Sequence, residues 1–276
     1  MPYRATAMRL PLLGFVLVFA SCGSFPTPND PRVHLSPYFA KYRLRGDVAM
    51  QNDPGTGPEN NASQSLDSLG QGHHGDDVGI RADIGDGFSG IRIEYYRLDL
   101  GPSGSGTLSD ELGALQAGDV AAAEPRMDEW RLGWSQSVLD GQLAWRENPI
   151  RIQGAAGATW ANRDMELDIR TTDGLRSQNV DLGGDAFYGT ALLRATMRQV
   201  SIDVSYSLCP WLQSGDWDGL AHDFETRLCY AVPFQDVTLF AGYRWSTFQG
   251  EGTRGGLRHE ADFVLDGFQL GVTVTF

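Results

Sequence analysis

The chain ends in Phe268-Gln269-Leu270-Gly271-Val272-Thr273-Val274-Thr275-Phe276, and the alternation in these nine residues decides the fold class. Side chains on a strand point to opposite faces with a period of two. Phe268, Leu270, Val272, Val274 and Phe276 therefore share one apolar face. Gln269, Gly271, Thr273 and Thr275 make the other face small and polar. The length matches the roughly 9–11 residues with which a tilted strand crosses a bilayer.

The closing aromatic residue and the alternation before it resemble the last strand of bacterial outer-membrane β-barrels. That resemblance implies an outer membrane, a double-membraned (Gram-negative) bacterium, outer-membrane lipid as surroundings, and a barrel-assembly machinery that reads Phe268, Leu270, Val272, Val274 and Phe276. The bland alternative is the last strand of a soluble antiparallel sheet.

The other end agrees with export. Arg4 and Arg9 precede an apolar stretch from Leu10 to Ala20, the size of a signal core and too short to span as a mature helix. Phe19-Ala20-Ser21-Cys22 then resembles a lipoprotein cleavage box, with Phe19 where Leu is usual. It implies lipidation of Cys22; ordinary cleavage near Ala20 or Ser21 is the alternative. The division expected is residues 1–21 as signal peptide, 22–32 as a proline-bearing tether and 33–276 as one barrel.

Composition is compatible with this. No later apolar run approaches the ~18 residues of a transmembrane helix. Mean hydropathy is -0.28, but a barrel escapes that test because only alternate residues meet lipid. The net charge of -13 argues against a nucleic-acid partner, which needs a basic surface. Lys41 is the sole lysine among 22 basic residues.

Ten strand-like segments follow, near 35–47, 77–85, 88–98, 128–139, 149–161, 186–197, 199–209, 223–233, 236–248 and 262–276. The links between them alternate short and long, with the long ones at 48–76, 99–127, 162–185, 210–222 and 249–261. Barrels of the membrane type have short turns at one end and long loops at the other. The expected fold is an all-β, antiparallel up-and-down transmembrane barrel of ten strands, or of eight if two segments are miscounted. In the loop after residue 106, Thr107-Leu-Ser-Asp110 resembles a capping box, and a short helix is expected over 111–116.

The lipid-compatible faces set the phase. An arginine facing lipid near the midplane costs about 2–4 kcal/mol, so arginines out of phase with the apolar face point inward. The lumen is expected to be lined by Arg81, Arg92, Glu94, Arg131, Arg194, Asp203, Arg227 and Arg244. Asp83, Arg151 and Glu225 share that phase, and Lys41 and Arg43 are assigned to it on the first strand. Either these groups pair into a structural plug, or they line a path for an anion. Cys209 and Cys229 fall on the inward phase of neighbouring strands. A disulfide is the expectation to test there, although a simple short-looped hairpin would misregister them.

Chemistry-bearing motifs are weak. Gly72-His73-His74-Gly75-Asp76-Asp77 has metal-binding residue types in a loop of no fixed geometry. Asp216, Asp218, His222 and Asp223 resemble in type and place the rim acids and His–Asp pair of omptin proteases, themselves ten-stranded barrels. His34 with Ser36 is the nearest pair to the Ser/His groups of lipid A-modifying barrels. No phosphate loop, dinucleotide fingerprint or zinc-protease motif occurs, and no cofactor is expected. Three readings stand. One is a non-enzymatic, monomeric barrel with acidic loops serving structure, adhesion or a narrow, porin-like pore. The second is an outer-membrane enzyme. The third is a lipid-anchored soluble barrel resembling lipocalins, with apolar faces inward and arginines in water.

Overall fold

The computed structural model describes residues 32–50, 62–71, 75–101, 104–145, 148–214, 217–254 and 257–276. The signal, Cys22, most of the tether, and His73 and His74 lie outside them. Thirteen strands follow in chain order: β1 Arg32–Met50, β2 Gln64–Ser65, β3 Gly75–Gly85, β4 Gly90–Asp99, β5 Gly106–Thr107, β6 Val120–Trp145, β7 Asn148–Thr171, β8 Ser177–Asp181, β9 Gly184–Met197, β10 Val200–Ser214, β11 Trp217–Ala231, β12 Val237–Arg254 and β13 Leu257–Thr275. Among the described residues no helix is long and apolar enough to cross a membrane.

Ten of these strands close a ring of antiparallel neighbours: β1, β3, β4, β6, β7, β9, β10, β11, β12, β13 and back to β1. The short β2, β5 and β8 only lengthen the walls at one end. The fold is thus the expected all-β, up-and-down barrel, with ten strands rather than eight. The end that carries Arg32 and Phe276 is called the lower end here, and the opposite end the upper.

The register sets the shape. Arg32 pairs with Gly85, and the partners then run Gly90, Ser135, Gly157, Thr190, Ser207, Asp223, Ser246, Leu265 and Leu44. The circuit leaves β1 at Arg32 and returns at Leu44, twelve residues along. Ten strands with that stagger tilt by about 40° from the barrel axis. A barrel of this size has an interior that side chains can fill.

In the lower part, apolar residues face out and polar residues face in. Val78 is 70% exposed and Leu270 60%, while Arg81 and Glu94 are buried. The outward belt includes Phe39, Ile80, Ile93, Leu132, Phe187, Ile202, Leu228 and Leu239. Aromatic side chains cluster at its upper margin, among them Tyr95 against Trp130 and Tyr243 against Phe268. About ten tilted rungs of such residues make a band near the ~25 Å expected of a membrane barrel. The lipocalin-like alternative requires the opposite phase, and the outward faces of these strands contradict it.

In the upper part the phase inverts. On β1, Tyr42, Leu44 and Val48 are buried inside, while Lys41, Arg43 and Arg45 face out. On β7, Met165, Leu167 and Ile169 are buried inside. Phe263 and Leu265 of β13 and Ala121, Ala123 and Met127 of β6 do the same. Each strand leaves the belt and enters a region with an ordinary water-soluble pattern. β6 and β7, at 26 and 24 residues, are far longer than a crossing requires. Much of what reads in sequence as long loops is therefore continuous strand: 120–127, 162–171, 210–214 and 249–254 all belong to the walls.

The helix expected over 111–116 is absent. The segment turns on a bridge between Leu112 and Leu115, with Leu108, Leu112 and Leu115 buried. Three leucines seeking the barrel interior outweigh a weak capping signal. Gly46 shows why β1 and β13 can approach so closely. Its φ is 131°, and a Cβ there would lie 1.9 Å from the Asp262 carbonyl oxygen.

Candidate functional site: the barrel interior

Strand alternation delivers a block of charge to the interior at the level of the belt. Arg81 of β3 lies 2.9 Å from Glu94 of β4 and 2.8 Å from Glu225 of β11. Tyr38 donates its hydroxyl to the same Glu94 at 2.9 Å. Arg131 of β6 donates to Asp223 of β11 at 2.6 Å and also reaches Glu129. Arg163 of β7 donates to Glu129 at 2.5 Å. Arg244 of β12 donates to Asp223 at 2.8 Å and lies 3.5 Å from Glu129 and 3.7 Å from Glu94. β12 and β6 stand five strands apart in the ring of ten, on opposite walls. The network therefore crosses the interior rather than lining it.

Aromatic rings hold the guanidinium groups from the sides. Arg244 sits 4.7 Å from the Tyr96 ring centroid, Arg163 4.5 Å from Phe248, and Arg227 5.5 Å from Phe240. Arg81, Glu129 and Arg244 are fully buried. Buried ions of this kind are tolerated only when paired and hydrogen-bonded. Here each carboxylate faces more than one arginine.

The network has different neighbours above and below. Below lies a polar cavity of about 370 Å³, lined by His34, Ser36, Gln153, Arg194, Asp203, Arg227, Thr238 and Thr273, among others. Arg194 forms a bidentate pair with Asp203 there, both contacts at 2.7 Å. Arg92 pairs with Asp83 at 2.6 Å. Above lies an apolar plug. Leu66 and Leu69 follow β2, and Leu108, Leu112 and Leu115 precede β6. All five are buried against Leu44, Val48, Leu98, Met127, Met165 and Leu167 of the walls.

The structure places Arg81, Arg92, Glu94, Arg131, Arg194, Asp203, Arg227 and Arg244 inside, together with Asp83 and Glu225. Three members of the network escaped sequence reasoning. Glu129 shares the parity of Arg131 and was legible from it. Arg163 lies in a stretch that reads as loop. Asp223 reads as half of a rim dyad. Lys41 and Arg43 must be corrected: they face outward, because β1 turns its even-numbered residues, Tyr38 to Leu44, to the interior. Arg151 shares the inward phase but sits at the lower mouth, half exposed and paired with Asp140.

The disulfide is not formed. Cys209 and Cys229 are both buried and are not bonded to each other. Cys209 faces Ala221 and Cys229 faces Ser201, so the hairpin register holds them near opposite ends of the same strand pair. The rim dyad is not assembled either. His222 and Asp223 are consecutive on a strand and so point to opposite faces. His222 is hydrogen-bonded to the Tyr206 hydroxyl at 2.6 Å, while Asp223 is buried between Arg131 and Arg244. Asp216 and the Asp218 side chain lie outside the described residues. His34 and Ser36 do not form a pair. Each bonds a threonine of β13, Thr275 at 2.9 Å and Thr273 at 2.8 Å. Among the described residues no three His, Cys, Asp or Glu side chains come together as a metal site.

The class defined by these features is an antiparallel barrel with an apolar belt outside and a charged, bridged interior. Among solved structures, it is similar to the outer membrane protease OmpT from Escherichia coli, at 11% identity and a TM-score of 0.44, covering 93% of this chain and 99% of that one. It is also similar to a Pseudomonas aeruginosa FadL homologue, at 10% identity and a TM-score of 0.30, over 91% and 93% of the two chains. A third is the Pseudomonas putida toluene transporter TodX, at 8% identity and a TM-score of 0.26, over 89% and 90%. All three are bacterial barrels. At such values no activity transfers, and the architecture rests on the strand pairings. No protein-family model matches the chain, and no curated protein matches it.

Proposed function

We propose that this chain is a monomeric bacterial outer-membrane barrel whose interior is sealed, and that it serves as a rigid, non-conducting scaffold presenting its upper end to the exterior for structure or adhesion. The observation that carries this reading is the span from Arg244 on β12 to Glu129 on β6 across the interior, capped by the apolar plug. The belt supports a bilayer as the surroundings, because exposed apolar rungs of this extent suit lipid and not water. In this reading residues 1–21 direct export, Cys22 carries lipid with 22–32 as a tether, and the terminal strand is read by the barrel-assembly machinery. Among the described residues, neither the His222–Asp223 nor the His34–Ser36 arrangement brings its groups together, which favours the scaffold over an enzyme.

Conductance tests the proposal. The wild-type protein in a planar bilayer is expected to give no single-channel steps, and Arg244→Ala is expected to remain silent because the apolar plug stays in place. An anion-selective wild-type pore that loses its selectivity in Arg244→Ala would show instead that the arginines line an open path.

A further inference from the structure

Among the described residues, the outward-facing basic side chains of β1 outnumber the carboxylates they reach. Lys41, Arg43 and Arg45 stand at alternate positions on one face, just above the belt residues Phe39 and Phe268. Lys41 lies 3.6 Å from Asp76 of β3. Arg45 donates to Asp266 of β13 at 2.8 and 3.2 Å. Arg43 comes no nearer than 3.8 Å to that same carboxylate, and its Nε is buried with no hydrogen-bond acceptor. Tyr243 completes the group, donating its hydroxyl to Asp266 at 3.3 Å with its ring edge-on to Phe268 at 5.3 Å. Three cations thus share two carboxylates. Asp47 and Asp262 lie further up the wall. Elsewhere at the upper margin the pairing is closer to even. Arg97 faces Asp128, and Arg126 faces both Asp99 and Glu124.

We propose that Lys41, Arg43 and Arg45, with Tyr243, bind the phosphate of a lipid headgroup in the outer leaflet, the acyl chains lying on Phe39, Phe268 and Leu270. This rests on the membrane reading above. The chemistry fits: a phosphate offers several acceptor oxygens and negative charge to a planar donor fork such as guanidinium. The height also fits, because the upper edge of an apolar belt is where headgroups sit. Asp266 acts as a positioning group that holds Arg45 and Tyr243 upright and leaves Arg43 only loosely paired, at 3.8 Å.

The test uses the full-length protein in detergent and then in liposomes. Binding of bis-phosphorylated lipid A is compared with that of its dephosphorylated form by native mass spectrometry, with inorganic phosphate as a competitor. The phosphorylated lipid is expected to bind preferentially. The triple variant K41A/R43A/R45A and the single variant Arg43→Gln are expected to bind it more weakly, the triple by about tenfold or more. Arg126→Ala is expected to bind as wild type. Heat-modifiable migration on gels confirms that each variant is folded before it is compared. Equal binding of both lipids, or undiminished binding by folded K41A/R43A/R45A, overturns the proposal while leaving the membrane reading intact. Displacement by millimolar inorganic phosphate would reassign the site to free phosphate and overturn the lipid assignment. Failure of the wild type to enter liposomes at all overturns the membrane reading, and this proposal with it.

Discussion

Arg244 is the residue on which the interior depends most. It is fully buried, touches Asp223, approaches Glu94 and Glu129, and lies against the Tyr96 ring. Its removal leaves carboxylates buried with too few counterions, which typically costs about 3–5 kcal/mol. Arg244→Ala is therefore expected to lower the temperature at which the folded, fast-migrating gel band converts to the unfolded one. Arg92→Ala is expected to lower it less, because Arg92 and Asp83 keep part of their hydration. Equal shifts for the two variants would show that pairing across the barrel adds nothing to pairing with a neighbour. The residue scale also shows why one arginine is not another. Arg81 and Arg43 sit on adjacent strands, yet the first is sealed inside 2.8 Å from Glu225 and the second faces out with its nearest carboxylate 3.8 Å away.

The element scale is governed by the inversion of phase. β1, β6, β7 and β13 each carry two amphipathic patterns in series, one apolar outward and one apolar inward. A strand that passes from lipid to water must do this, because the solvent outside changes while the side-chain period does not. Above the inversion, local contacts order the turns. Asp119, before β6, accepts from the Gln116 amide at 2.9 Å and from Arg176 at 2.9 and 3.1 Å. The amide first, and then the guanidinium, holds the Asp119 carboxyl below its usual value. The folded pKa is lower than the unfolded one, so the local order is fully present at neutral pH. It is lost as acid passes through the depressed value, below the ordinary aspartate range near ~4. A carbon-13 titration of the Asp119 carboxyl in micelles is expected to show a midpoint under that range. A midpoint at or above it would mean that the turn does not hold the ionised form.

At the scale of the whole molecule the barrel has three storeys: a polar cavity at the lower end, a charge network at the belt, and an apolar plug in the upper walls. The ten long strands close on themselves, so each of them is paired on both sides. The position of the bilayer follows from the same division. A nitroxide at Leu132→Cys, outward in the belt of β6, is expected to be relaxed by lipid-soluble oxygen. One at Arg126→Cys, outward above the inversion on the same strand, is expected to be relaxed by a water-soluble nickel complex. If both sites respond to nickel alone, the belt does not lie in lipid.

Much of this was legible in the residues alone. The alternation of Phe268 to Phe276, the short and long spacings and the parity of the arginines depend only on a period of two, so the barrel and most of its inward charges could be read without coordinates. The limits of the strands could not be, because above the belt polar outward residues such as Arg126, Asp164 and Glu260 look like loop. Their apolar partners face inward across the barrel, not along the chain. For the same reason Arg163 was missed and Lys41 and Arg43 were turned the wrong way. Parity on a single strand is relative, and only its neighbours decide which face is inside. The disulfide and the His222–Asp223 dyad failed on register and facing, which are properties of folded strands and not of spacing. That Arg244 meets Glu129 across the ring was decided only when ten strands closed with a stagger of twelve. Closure sets the distance between opposite walls, and no local pattern contains that distance.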